Sequence, residues 1–320
     1  MAHLDRLHRR GPGRTTSLLA VVLAVGAILV ACDADGEQDA RLDGLLVMSG
    51  DVGAVRLTVR HDARARSRRV DLPDPATSWI SAGRANVLMA TLIDGRTFVS
   101  DPVGERGQPG WRPVEPVGVD DLPIDGPLYF GAWDPPGGAY ALLASDFSED
   151  GGLRVVVVDP ALEGASEAIV AGHTALPVPP AWIDDDRVAV VVAGAGGPAT
   201  VVVDTTSGDA SSGPDGVALL ATSADASMAA IWRGSGPVEV LATEDWLDGE
   251  SATIRIDPPR GTSRPGVFAL DGTGSRIAIV WLDDAGAPLE ITVHEADRNW
   301  ASATALDVGA VGAASVAWLR

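Results

Sequence analysis

From about residue 44 onward, apolar residues come in short runs rich in Val, Ile, Leu and Thr, broken by Gly, Asp and Pro. Helical periodicity is almost absent, so the runs predict strands and turns rather than helices. The runs also recur as a unit. "GAWDPPGGAYALLA" from Gly131, "PAWIDDDRVAVVV" from Pro180, "LLATSADASMAAIW" from Leu219 and "FALDGTGSRIAIVW" from Phe268 share one form. Each is a short apolar strand, a tight turn of Asp, Gly or Ser, and a second apolar strand. "SWISAGRANVLMATL" from Ser78 repeats it with a less apolar start. A third strand follows each ("RTFVSD", "LRVVVVD", "ATVVVD", "VEVLAT", "LEITVHE"), and a weaker fourth usually comes next, as in "WRPVEP", "ATIRID" and "ATALDV".

Aligned on Leu46, Val87, Ala141, Ala189, Ala229 and Ala278, the second strands lie 40 to 54 residues apart. A four-stranded unit at this period predicts an all-β fold, a β-propeller of six four-stranded blades, with seven blades the main alternative. The two ends of the pattern support this reading. "GLLVMSGDVGAVRLTVRHDARARSRRVDLP" supplies second, third and fourth strands without a first, while "SVAWLR" at Ser315–Arg320 is a first strand with nothing after it. Joined, they complete a blade, so the C-terminal strand should close the ring beside the N-terminal blade and leave no unpaired inner edge. A two-sheet sandwich would explain neither the rhythm nor the ends.

Units such as "LDGTGSRIAIVW" resemble the repeat of TolB-like six-bladed propellers, and they are similar to the propeller half of LpqB-type lipoproteins of high-GC Gram-positive bacteria. The resemblance covers residues 44–320. It implies a six-bladed propeller fold, and the chain is too short to carry the additional N-terminal domains of the LpqB type as well.

Residues 1–31 have a different character. Arg6, Arg9, Arg10 and Arg14 precede an unbroken apolar run of 14 residues, Leu18 to Ala31. A membrane span needs about 20 residues, whereas a signal-peptide core needs about this many. The run ends at Cys32, the only cysteine in the chain. Leu29-Val30-Ala31-Cys32 resembles the bacterial lipobox, which implies lipidation of Cys32 and cleavage before it. The expected organisation is a signal peptide over 1–31, an acidic tether over 32–43 and a propeller over 44–320. The protein would then sit lipid-anchored on the extracytoplasmic face of the cell membrane. Export by the general or the twin-arginine route is left open by the Arg9-Arg10 pair. A lone cysteine also excludes an internal disulfide.

The net charge is −20, and it moves to −23 without residues 1–31, which hold four arginines and one aspartate. Such a surface argues against nucleic acid. All 24 basic residues are arginines, which excludes lysine Schiff-base chemistry. No P-loop, G-x-S-x-G or H-E-x-x-H motif is present. His61, His173 and His294 are far apart in sequence and read as surface residues. Tyr129 and Tyr140 read as strand residues, and "SADASMAAIW" from Ser223 departs from the sialidase Asp-box at three positions. Asp184–Asp186 read as a turn, and Asp120, Asp121 and Asp125 as a connection between blades.

Among the tryptophans, Trp79, Trp133, Trp182, Trp232, Trp281 and Trp318 recur in or near first and second strands, a pattern that predicts packing between blades. Trp111, Trp246 and Trp300 fall in linkers or outer strands and are freer to face solvent. One basic cluster stands out: Arg60, Arg64, Arg66, Arg68 and Arg69, in the turn between third and fourth strands of the first blade. It reads first as a solvated hairpin in an arginine-biased sequence, and the sharper alternative is contact with anionic headgroups or cell-wall polymer. The resulting expectation is a monomeric binding or scaffold module, without cofactor or metal, that docks a protein or envelope component through its loops. The alternative is a propeller hydrolase or lyase acting on a glycan or lactone.

Overall fold

The computed structural model describes residues 44–49, 56–60, 68–83, 86–103, 108–114, 128–135, 138–145, 153–159, 164–170, 174–300, 303–306 and 313–319. The expected signal segment, Cys32 and the tether lie outside the described residues.

Strands pair with their sequence neighbours into antiparallel sheets. The second sheet runs outward from Thr77–Ala82 through Leu88–Leu92 and Thr97–Ser100 to Trp111–Pro113. The third holds Leu128–Trp133, Tyr140–Ser145, Leu153–Asp159 and Gly164–Val170. The fifth holds Leu219–Thr222, Met228–Trp232, Val238–Ala242 and Ile254–Ile256. The sixth holds Arg264–Leu270, Arg276–Leu282, Pro288–Glu295 and Ala303–Leu306. The fourth departs from the pattern with five strands. Thr174–Ala175 and Ala181–Trp182 both pair with Arg187–Gly194, followed by Gly197–Asp204 and Ala210–Asp215. Pro177, Pro179 and Pro180 lie between its two inner pieces. Proline donates no ladder hydrogen bond, so the inner strand breaks there.

The first sheet is assembled from both ends of the described chain. Ala313–Trp318 pairs antiparallel with Leu45–Ser49, which pairs with Arg56–Arg60 and then Arg68–Val70. One backbone bond recurs in every sheet. The residue just after each inner strand donates its N–H to a carbonyl at the start of the second strand: Gly83 to Val87, Asp134 to Ala139, Ile183 to Arg187, Ser223 to Met228 and Asp271 to Arg276. In the first sheet Leu319 donates to Gly44 at 2.7 Å. Chain ends make there the bond that a turn makes elsewhere. Gly44 has φ +77, and a Cβ on it would come within 3.1 Å of Leu319 Cβ, so the junction favours glycine.

The sheets stack face to face around an axis, which makes the fold an all-β propeller. The core is correspondingly divided into clusters at the seams. Because successive strand residues point to opposite faces, Leu45 and Val47 join Ala278, Val280, Ile291 and Val293 of the sixth sheet. Leu46 and Met48 face the other way, onto Ile80, Leu88 and Ala90 of the second. Middle strands are buried on both faces, and this is why "VAVVV" and "YALLA" read as continuous apolar runs. Tyr129 and Tyr140 are strand residues, as expected. Burial pushes the Tyr140 phenol up to about 12, against a small opposing pull from Arg112, so it stays protonated.

Deleting Ser315–Arg320 tests the closure. Val316 and Trp318 are 2% and 4% exposed, and their loss removes roughly 4–5 kcal/mol of burial. That approaches the net stability of a whole domain, about 5–15 kcal/mol, before the two newly opened strand edges are counted. The truncated protein should lose its cooperative thermal transition. Retention of a sharp melt near the full-length temperature would refute the closure as a stabilising device.

Candidate functional site: the axial cavity and the turn rim

The inner strands of all the sheets surround a cavity of about 160 Å³ on the axis. Trp79, Trp133, Trp182 and Trp318 contribute to its wall, with prolines and small residues between them. Among the described residues lining it, none carries an ionisable side chain. The inner strands are short and are flanked by turns, which suits small or aromatic residues where several backbones converge.

Two of these indoles tie neighbouring sheets together. Trp182 Nε1 donates to the Ala132 carbonyl of the third sheet at 3.0 Å, and Trp318 Nε1 donates to the Ala269 carbonyl of the sixth, also at 3.0 Å. The same contact is not made by Trp133. Its indole lies over Gly83, where any Cβ would clash at 2.6 Å, and stacks edge-on against Tyr140. Trp232 and Trp281 end second strands and are buried at the seam of the fifth and sixth sheets. The expected packing role of these tryptophans therefore holds. Trp246 corrects the expectation for linker tryptophans. It sits on a short helix, Thr243–Leu247, and is fully buried against the fourth and fifth sheets. Trp111 donates to the Asp71 carbonyl, and Trp300 packs on the fifth–sixth seam, so neither is free.

The turns after the inner strands all lie on one rim, together with the connections between third and fourth strands. Register shows this directly: Leu45 pairs with both Trp318 and Arg60, and Arg187 with Asp204. Arg60, Arg68 and Arg69 thus stand at this rim, with Arg69 exposed; Arg64 and Arg66 lie outside the described residues. On the fourth to sixth sheets the same rim is acidic. Asp185, Asp186, Asp209, Glu244, Asp245 and Asp248 are exposed there. Its described arginines are taken up by carboxylates: Arg187 with Asp184, Arg276 with Asp271 and Arg298 with Glu295. Arg276 also lies over the Trp318 ring at 4.5 Å.

The acidic turns organise backbone. Asp184 Oδ1 accepts the N–H groups of Asp186 and Arg187. Backbone N–H groups of Ser207 and Thr206 hold Asp204 below the usual carboxylate range. Burial pushes Asp225 up, but the hydroxyls of Ser223 and Ser227 outweigh it and its pKa falls. The segment from Ser223 is accordingly a strand–turn–strand. Among the described residues no group of three or more His, Cys, Asp or Glu side chains is placed to hold a metal ion. No described helix is long and apolar enough to cross a membrane. Asp120, Asp121, Asp125, His61 and His173 lie outside the described residues.

His294 is a correction: it is 7% exposed, not a surface residue. Its Nδ1 faces the Trp300 carbonyl at 2.9 Å, so Nδ1 carries the proton. Nε2 then accepts from the Thr292 hydroxyl, which itself accepts Trp281 Nε1–H at 2.7 Å. Every second residue of a strand shares a face, so Thr292 and His294 meet Trp281 on the adjoining strand. The signal was present in "EITVHE", where Thr292 and His294 are the alternate polar positions of a strand whose other face is Ile291 and Val293.

No family model matches the chain, and no curated protein matches it. Among solved structures, a chain from the crystal structure of a nidogen/laminin complex is similar over 86% of this chain and 98% of that chain, with a TM-score of 0.52 and 12% identity. A chain of Kuenenia stuttgartiensis hydrazine synthase is similar over 74% of this chain and 67% of that chain, with a TM-score of 0.45 and 15% identity. The first likeness shows a shared propeller fold.

Burial lowers the His294 pKa below its usual 6.5, only partly offset by the Trp300 hydrogen bond. The unfolded chain therefore binds a proton before the folded protein does. This contribution to stability is complete above about pH 6.5 and falls as pH drops towards the depressed value. Urea midpoints should decline between pH 7.5 and 5, and His294→Gln should flatten that decline. An unchanged midpoint in the unsubstituted protein would contradict the assignment.

Proposed function

We propose that this chain is a lipid-anchored extracytoplasmic binding module, tethered through Cys32, which docks a protein or cell-wall polymer at the turn rim of a closed ring. The ring is read as six blades, with the fourth blade's inner strand split by its prolines. A propeller fold is consistent with a protein-binding scaffold. The observation that carries the reading is the charge division of one rim, with arginines on the first sheet and exposed carboxylates on the fourth to sixth. Rigid strands present these loops, and loops on a rigid scaffold are where recognition residues concentrate. The uncharged wall of the axial cavity favours binding over acid–base hydrolysis there.

The arginine cluster is read as the side of the rim that faces anionic headgroups or wall polymer. Each arginine near such a surface contributes about 1 kcal/mol, within a Debye length of about 10 Å at 0.1 M salt. With the anchor, it would orient the acidic arc away from the membrane. Crosslinking on intact cells, followed by mass-spectrometric identification, should recover one dominant envelope partner; a profile equal to that of an unrelated lipoprotein would sink the docking reading.

The anchor is tested separately. Metabolic labelling with a fatty-acid probe should label the unsubstituted protein and not Cys32→Ser, and no label on either would end the lipoprotein reading. Protein beginning at Asp33 should bind anionic vesicles weakly at low salt, and changing Arg64, Arg66 and Arg68 to Ser should abolish this. Equal binding to neutral vesicles would leave the cluster as a solvated turn.

A further inference from the structure

Each sheet ends in an outer strand, and a strand at a sheet edge leaves alternate backbone N–H and C=O groups without a ladder partner. Among the described outer strands, all but one are blunted. Arg68–Val70, Trp111–Pro113 and Ile254–Ile256 are three residues long, and Ala303–Leu306 is four. Ala210–Asp215 is six residues long, but it holds Pro214, and its pairing shifts register between Ala199 and Val201 of the neighbouring strand. Short length, proline, charge and bulges are the devices that keep an edge from recruiting another strand.

Gly164–Val170, the outer strand of the third sheet, is the exception. It is seven residues long and pairs with Leu153–Asp159 over its whole length without a register shift. It contains no proline and one charged residue, Glu167, which stands opposite Val156 near the middle of the ladder. Its other edge has no strand partner among the described residues. The stretch from Asp159 to Val170 carries Asp159, Glu163 and Glu167 and no arginine, in a chain of net charge −20.

We propose that this edge receives an extended segment of a partner protein as an added strand, with an arginine or lysine placed against Glu167. Length and regular pairing offer main-chain hydrogen bonds along the whole strand, and these are the source of affinity in strand addition. Charge selects the occupant. Opposite charges on facing strands attract and like charges repel, so a basic residue fits beside Glu167. A second copy of this chain fits badly. Pairing two copies symmetrically along this edge sets Glu167 against its own counterpart, directly or diagonally, and joins two bodies that each carry a net charge of −20. The edge lies on the outside of the third sheet, so the proposal is independent of the charge division of the turn rim.

The test titrates the full chain in mild detergent into a fluorescein-labelled peptide, Arg-Val-Thr-Val-Arg-Val-Thr, and reads anisotropy against protein-free micelles. The same peptide N-methylated at every residue keeps its charge but loses its backbone donors, and it should lose saturable binding. Glu167→Arg should weaken the parent peptide about fivefold, whereas Asp248→Arg, an equal change of net charge at an exposed rim carboxylate, should not. Hydrogen exchange should place the slowed amides within Gly164–Val170; this arm and the methylated peptide need no variant. Equal binding of the methylated peptide, equal effects of the two substitutions, or no saturable binding at millimolar peptide would each overturn the proposal. Slow exchange throughout Gly164–Val170 before peptide is added would show the edge already covered, and slowing that follows protein concentration alone would assign it to a second copy; either result also overturns it.

Discussion

The pairing of Ala313–Trp318 with Leu45–Ser49 is the constraint on which the ring depends. A propeller has no central core of its own, and each sheet is stabilised by burial against the two beside it. Leaving one inner strand unpaired would expose the first sheet's edge and weaken both adjoining seams. The closing strand is held on three sides: by its ladder partner, by Trp318 Nε1 to Ala269 of the sixth sheet, and by Ser315 Oγ to Ile80 of the second. The bond from Leu319 to Gly44 then completes a pattern that five turns make covalently continuous.

This division of the core explains the chain's composition. Middle strands bury both faces, so they are runs of small and branched apolar residues. Inner strands converge on the axis, where backbones approach closely, and their bulk is concentrated in a few tryptophans. These indoles act as struts wherever their N–H finds a carbonyl in the next sheet. Where it does not, as at Trp133, the ring packs over Gly83 of the neighbouring sheet instead. Charge is sparse in both regions, where Glu239 is paired with Arg233 and Arg255, and it collects on the rims.

At the turn rim the carboxylates serve two purposes that proximity alone separates. Asp184 and Asp271 are turned inward onto backbone N–H groups and an arginine of their own turn. Their neighbours Asp185 and Asp186 have no such duty among the described contacts and face solvent. An aspartate-rich turn is thus part structural and part surface, and the net charge of the chain overstates the field available to a partner.

Sequence alone determined the strand rhythm, the propeller class and the partnership of the two ends. These depend on period-2 and blade-length repetition, which is a property of local order along the chain. It also marked the inner-strand tryptophans, because equivalent positions recur. Residues whose surroundings come from other sheets were not legible. Trp246 read as a linker residue, but its burial depends on a helix folding back over two sheets. His294 read as exposed, but its environment is made by Trp281 on the next strand and the Trp300 carbonyl beyond a tight corner. The cavity is the extreme case. Its wall takes residues from every sheet, separated by some 50 positions each, and only closure of the ring brings them within reach of one another.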